Sequence, residues 1–247
     1  MKKRVAILIS GRGSNMMALA QAARAPDYPA EIVSIIASRP DAAGLAWAKA
    51  QGLPGRAIDH KAYATREAFD DAVHAALIEA RTDLIALAGF MRIQSAAFVQ
   101  KWQGRQLNIH PSLLPLFKGL QPHRQALDAG VKISGCTVHF VMEEMDSGPI
   151  LAQAAVPVLD GDTPETLAAR ILVAEHKLYP HALALLASGR AILEGGRVRV
   201  DGVPASILGC SRHNSSDWLT QPHLTSKAHS PQDRSWTGFQ TRCYQIP

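Results

Sequence analysis

Val5-Ala-Ile-Leu-Ile-Ser-Gly-Arg-Gly-Ser-Asn15 decides the fold. Its unbroken apolar run, Val5 to Ile9, suits a strand buried on both faces, as in a parallel sheet. The run breaks into Ser10-Gly-Arg-Gly13, and a helical pattern opens at Asn15. Strand, glycine turn and helix make the first unit of an α/β fold. Further short apolar runs follow at Ile32 to Ala37, Leu84 to Ala88 and Leu107 to Ile109. Helical patterns separate them: Asn15 to Arg24, Asp41 to Gln51 closed by Gly52 and Pro54, and Arg66 to Ala80 carrying Phe69, Val73 and Leu77. The alternation predicts a Rossmann-like, mostly parallel sheet flanked by helices, with right-handed crossovers.

Beyond His110 the pattern changes. Ile133 to Val141 and Pro149 to Val158 read as longer strands joined through a turn at Asp146, an antiparallel pair on the carboxy-terminal side. Thr163-Pro164-Glu165 offers an N-cap with proline at the first helical position, so a long helix is predicted. Leu167, Ile171, Ala174 and Leu178 lie on one stripe, Pro180 is a candidate kink, and Gly189 ends the helix. Ala191 to Leu193 and Val198 to Val200, across Gly195-Gly196, read as a small hairpin. From Ile207 the chain is rich in Ser, Thr, His and Gln, with scattered Trp218, Trp236 and Phe239 and no periodicity. The expectation is one domain over 1–205, divided near 105, and a disordered extension over 206–247.

Composition narrows the function. With 247 residues, 47% of them hydrophobic, the chain can build one large α/β core. The apolar run after Met1-Lys-Lys-Arg4 is too short for a signal peptide, and none approaches the roughly 20 residues of a membrane span. Cys136, Cys210 and Cys243 are scattered, with neither zinc spacing nor a disulfide framework, which fits a reducing cytoplasm. The ten histidines contain no His-Glu-x-x-His, so no metal is required. The net charge of +5 comes without a Lys/Arg cluster beyond residues 2–4, which favours anionic small molecules over nucleic acid.

Two stretches carry chemistry. Ser10-Gly-Arg-Gly-Ser-Asn15 lets backbone approach a ligand and leaves N–H groups free at a helix start, an arrangement suited to phosphate. Met16 stands where a third dinucleotide glycine would be, and no Gly-Lys-Ser/Thr follows, so neither a dinucleotide nor a P-loop nucleotide is favoured. In Asn108-Ile-His-Pro-Ser-Leu-Leu-Pro115, period-two alternation puts Asn108 and His110 on one face at a strand's end, the edge where open α/β folds bind ligands. Asp146, in Met145-Asp-Ser-Gly-Pro149, is able to return beside the imidazole. Amide, imidazole and carboxylate supply what acyl transfer needs: oxyanion donors, an acid/base and a group that holds it. His139 and Phe140, on the preceding strand, read as packing residues.

Gly11-Arg-Gly-Ser-Asn15, Ala88-Gly-Phe-Met-Arg-Ile93, the Asn108 run, Val138-His-Phe-Val141, Asp146-Ser-Gly-Pro149 and Glu175-His176, in this order, closely resemble the phosphoribosylglycinamide formyltransferases of purine biosynthesis. The resemblance covers roughly residues 3–200. The Asn108 run and Asp146 are shared with folate-dependent formyltransferases at large, and Gly-Ser-Asn at the amino end points to this member. It implies a formyltransferase fold with a phosphate-binding half over 1–105 and a folate-binding, catalytic half over 106–205. It implies a catalytic trio of Asn108, His110 and Asp146. Gly13, Ser14, Asn15, Met16 and Met17 match the loop that holds the phosphate and ribose of glycinamide ribonucleotide. Glu175 matches a carboxylate near its glycinamide end. Arg66, Met91, Arg92, Ile93, Gln94, Asn108, Met142, Glu143, Glu144, Met145 and Asp146 match positions lining the 10-formyltetrahydrofolate site. The chain departs from the usual pattern at Gln121-Pro122, where the family commonly has His-Thr.

The implied reaction is attack of the glycinamide amine on the formyl carbon of 10-formyltetrahydrofolate, without metal or covalent enzyme intermediate. The implied partners are these two small molecules, in a cytoplasmic monomer or homodimer. Formyltetrahydrofolate deformylase is the nearest rival, but it usually carries an amino-terminal regulatory domain, whereas this sequence opens on its first strand. Methionyl-tRNA formyltransferase would need a basic carboxy-terminal RNA-binding domain. A non-catalytic phosphoribosyl-binding module would not need the trio.

Overall fold

The computed structural model describes residues 1–201. β1 (Lys3–Ile9), β2 (Ala30–Ala37), β3 (Gly55–Ala57), β4 (Leu84–Leu87), β5 (Gln106–His110), β6 (Ile133–Phe140) and β7 (Ile150–Pro157) form one sheet in the order β3-β2-β1-β4-β5-β6-β7. Pairing is parallel from β3 through β5 and antiparallel at β5–β6 and β6–β7. The chain winds outward through β2 and β3, then crosses back to β4 on the other side of β1. That reversal makes the loops after β1 and β4 diverge, which opens a crevice at the carboxyl ends of the strands.

Helices cover both faces: α1 (Ser14–Ala22), α2 (Ala43–Ala50), α3 (Arg66–Glu79), α4 (Ala96–Lys101), α5 (Pro122–Asp128) and α6 (Pro164–Ala187). The run Val5 to Ile9 is apolar throughout because its faces enter different cores. Val5, Ile7 and Ile9 join Met16, Leu19 and the α6 residues Leu167, Ile171 and Leu178 in the larger one. Ala6 and Leu8 join Phe69, Val73 and Leu77 of α3 and Phe98 of α4 in the smaller. Full burial of each Leu or Ile contributes about 1.5–3 kcal/mol of transfer free energy.

α6 has a reciprocal cap between Thr163 and Thr166, proline at its start, and Gly189 at φ +74 just beyond its end. Pro180 lies inside it without breaking it, and its carbonyl accepts from Tyr28 Oη at 2.7 Å. β8 (Ala191–Glu194) and β9 (Arg197–Val200) form the expected hairpin. β3, α4, α5 and a 3-10 turn at His60–Ala62 were not anticipated. All are short, and β3 is exposed along its whole length, so none develops an apolar period. The extension expected over 206–247 lies outside the described residues.

The two faces differ sharply at the antiparallel end of the sheet. Leu107 and Ile109 of β5, with Cys136, Val138 and Phe140 of β6, pack into the larger core. Alternation therefore turns Gln106, Asn108 and His110 the other way. Asn108 faces His139 in register and His110 faces Thr137. One side of this strand pair is core; the other is a polar floor.

Candidate active site

Two walls rise on that floor. The segment 88–95 leaves β4 beside Asn108, since Leu87 and Asn108 are register partners, and comes down to Gln106, where Gln94 Nε2 donates to Gln106 Oε1 at 3.0 Å. The turn 141–149 starts at the Gln106 end, with Val141 N donating to Gln106 O at 3.1 Å, and climbs to His110. Met91, Ile93, Met142 and Met145 on these walls are exposed apolar side chains, such as ligand clefts present. Arg66, at the start of α3, and Arg92, Glu143 and Glu144 are exposed as well.

Asp146 reaches His110 because its turn is forced into one shape. A Cβ on Gly148 would lie 1.8 Å from Phe140 O, and Asp146 itself holds φ +52. Asp146 Oδ2 accepts from Gly119 N at 2.9 Å and lies 3.3 Å from His110 Nδ1. The other imidazole nitrogen, Nε2, is 2.9 Å from Phe117 O. The ring thus has an oxygen facing each of its nitrogens, which fixes its orientation. The pair is nearly dry, each side chain 7% exposed, so the ionic contact is little screened.

His139 is more than packing. Its Nδ1 faces Phe140 O at 2.9 Å and its Nε2 faces Asn108 Nδ2 at 3.2 Å. The neutral tautomer protonated at Nδ1 donates to the first and accepts from the second. Burial lowers its proton affinity and favours that neutral form. His139 thus orients the Asn108 amide, leaving the second Nδ2–H free. The signal was present in the sequence: apolar Cys136, Val138 and Phe140 alternate with Thr137 and His139, which must face the other way. Thr137 also escaped notice. Its Oγ1 donates to Ser112 O at 2.7 Å and accepts from Leu114 N at 3.0 Å, holding the turn that follows His110. Nearby His123, on α5, has its proton affinity lowered by burial and by the charge of His110.

A second cluster forms at the other loop. Gly13 caps α1 at φ +71 without any side-chain cap, so the first helical N–H groups stay available. Loop 10–13 is tied to its surroundings by Gly44 N to Gly11 O at 3.1 Å and Ser10 N to Gly89 O at 3.1 Å. Asn15 Nδ2 donates to Glu175 Oε2 at 2.6 Å. Glu175 is buried, which raises its pKa against the opposing effect of the Asn15 bond. Asn15 Oδ1 has no protein partner. Ser14 and Met17 border an open groove of about 620 Å³ with Trp47, His176 and Pro180. The Met16 side chain lies wholly in the core, so it offers a ligand only its backbone. Among the described residues no group of His, Cys, Asp or Glu is placed to hold a metal ion.

Comparison with known proteins places this geometry. The Formyl transferase family model matches residues 3–183. The trifunctional purine biosynthetic protein adenosine-3 of Bos taurus is 55% identical over 198 residues, 80% of this chain and 20% of that protein, so the chain spans about a fifth of its length. Phosphoribosylglycinamide formyltransferase of Escherichia coli K12 is 39% identical over 80% of this chain and 93% of its own. The crystal structure of glycinamide ribonucleotide transformylase 1 from Symbiobacterium toebii superposes with a TM-score of 0.79 at 47% identity, covering 81% of this chain and 94% of that one. A formyltetrahydrofolate deformylase from Pseudomonas syringae is more distant, at 26% identity over 66% of its length with a TM-score of 0.74. The chain belongs to the formyl transferase family and, within it, to the phosphoribosylglycinamide formyltransferases.

Proposed function

We propose that this chain transfers the formyl group of 10-formyltetrahydrofolate to the amine of 5-phosphoribosylglycinamide, giving phosphoribosyl-N-formylglycinamide and tetrahydrofolate. The observation that carries the reading is the convergence of Asn108, His110 and Asp146 at one end of a cleft whose walls bear exposed apolar side chains. The amine attacks the formyl carbon, and the oxygen that gains charge meets the free Nδ2–H of Asn108 and the His110 imidazolium. His110 Nε2 gives up Phe117 O to reach it, while Asp146 holds the ring in place and stabilises its charged form. The attacking nitrogen loses a proton, N10 gains one, directly or through water, and the bond from N10 to the formyl carbon breaks. Holding both substrates side by side supplies much of the acceleration.

In this reading Gly13, Ser14, Asn15, Met16 and Met17 cradle the phosphate and ribose, Met16 through its backbone, and Glu175 faces the glycinamide end. Arg66, Met91 to Gln94 and Met142 to Asp146 border the folate. The domain runs over 1–205, its halves meeting near 105, where the sheet passes from parallel to antiparallel pairing just beyond. The assignment to the cytoplasm as monomer or homodimer rests on composition and on the enzyme class. No helix among the described residues is long and apolar enough to cross a membrane.

Steady-state consumption of 10-formyltetrahydrofolate with and without the ribonucleotide tests the function. Loss of donor only when the ribonucleotide is present is the expected result. Equal loss without it would make the chain a hydrolase and overturn the reading.

A further inference from the structure

Tyr179 is wholly buried on α6, and its hydroxyl takes part in no step of the transfer described above. Its Oη donates to Leu87 O and to Leu107 O, each at 3.0 Å, one proton shared between two strand carbonyls. Leu107 O belongs to the peptide group that carries Asn108 N, and Leu87, the register partner of Asn108, is the last residue of β4. The phenol thus clamps the backbone on which the Asn108 amide stands. Burial pushes its pKa well above the ordinary phenol value, so it stays a donor. The other end of the tie is a helix with a soft turn. Pro180 has no N–H for the carbonyl of His176, so α6 lacks an internal hydrogen bond across residues 176–180. Glu175, bonded to Asn15, stands four residues before Tyr179, about 6 Å along the axis and also buried.

We propose that Tyr179 is a positioning residue: it fixes the turn of α6 that bears Glu175 against the strand ends that bear Asn108, and so sets the separation of the attacking amine from the formyl carbon. Glu175 faces the glycinamide end and Asn108 meets the formyl oxygen only if the chain is a formyl transferase of this substrate, so the proposal rests on the reading above. Each substrate is held on one side of the tie. Loosening it leaves both sites formed and displaces one against the other. A shift of about 1 Å costs up to about a hundredfold in a reaction that depends on alignment, while affinity for each substrate alone holds. Tyr28 provides the contrast: its Oη donates to Pro180 O at 2.7 Å and ties the same helix to the loop before β2, not to the strands at Asn108.

The test compares Tyr179→Phe and Tyr28→Phe with the wild-type chain, since each variant deletes one hydroxyl and keeps the ring. Steady-state kinetics below each Tm gives kcat and both KM values, and titration calorimetry gives the ribonucleotide Kd. Expected for Tyr179→Phe is a kcat lowered about tenfold or more, with both KM values and the Kd within about twofold. Expected for Tyr28→Phe is a comparable fall in Tm with kcat within about twofold of the wild type. A near-wild-type kcat in folded Tyr179→Phe overturns the proposal. Equal losses of kcat in the two variants overturn it as well, because the helix would then only be loosened in general, and so does a raised ribonucleotide Kd with kcat unchanged. Each of these results leaves the transfer reaction intact. Absence of transfer by the wild-type chain overturns the functional reading, and the proposal with it.

Discussion

His110 sits between a carboxylate and a carbonyl, and that placement sets what its removal does. Alanine there takes away the charged donor and leaves Asp146 Oδ2 with only Gly119 N. His110→Ala is expected to lower kcat at least about a hundredfold, the scale of a lost acid/base or oxyanion partner, with a smaller change in either KM. Asp146→Ala should do the same by releasing the ring. Near-normal turnover of His110→Ala in a steady-state assay would remove the imidazole from the mechanism. At this scale the sequence was informative where period two applied: Asn108 and His110 had to share a face, and Asp146 stands beside them. It hid the left-handed Phe117 and Gln121, which follow from loop closure rather than from residue type.

At the scale of elements, loop 10–13 and α1 act together. Gly13 holds φ +71, and a Cβ there would come to 3.0 Å from Met16 Cε and 3.6 Å from Gly44 Cα. Gly13→Val adds strain of about 1–2 kcal/mol for the left-handed backbone and pushes bulk onto the anion-facing N–H groups. The expected outcome is a ribonucleotide KM raised far more than the folate KM, measured by varying each substrate at saturation of the other. Equal rises in a folded variant would mean the loop is no phosphate cradle. Long elements were legible because they repeat: β1 by its unbroken apolar run, α6 by its capped stripe. α4 and α5 were not, since six or seven residues make fewer than two turns. Pro122 at the first position of α5 and Ser95, whose Oγ accepts from Phe98 N, were the available signs of their starts.

For the molecule as a whole, Glu175 links stability to pH. Its pKa is raised by burial, so between the ordinary carboxylate range and that raised value the folded chain holds a proton that the unfolded chain has lost. Stability therefore falls as pH rises through this window. Glu175→Gln removes the ionisation and retains an acceptor for Asn15. Its Tm is expected to exceed that of the wild type at pH 8 and to match it near pH 5; a domain of this size moves about 2–4 °C per kcal/mol, which calorimetry resolves. A variant less stable than wild type at pH 8 would show that the ionised carboxylate is favourable where it lies.

The face division of β5 has an evolutionary consequence. Read along its odd positions, Leu107 and Ile109, the strand is a packing text; read along its even ones, Gln106, Asn108 and His110, it is a chemical text. Five residues hold both because neighbours never share a side. Substitution can rewrite one text without touching the other, so the polar face is free to drift while the core keeps its letters. Insertion or deletion of one residue has no such freedom. It shifts the frame, sends polar groups into the core and leucine into the cleft, and erases both messages at once.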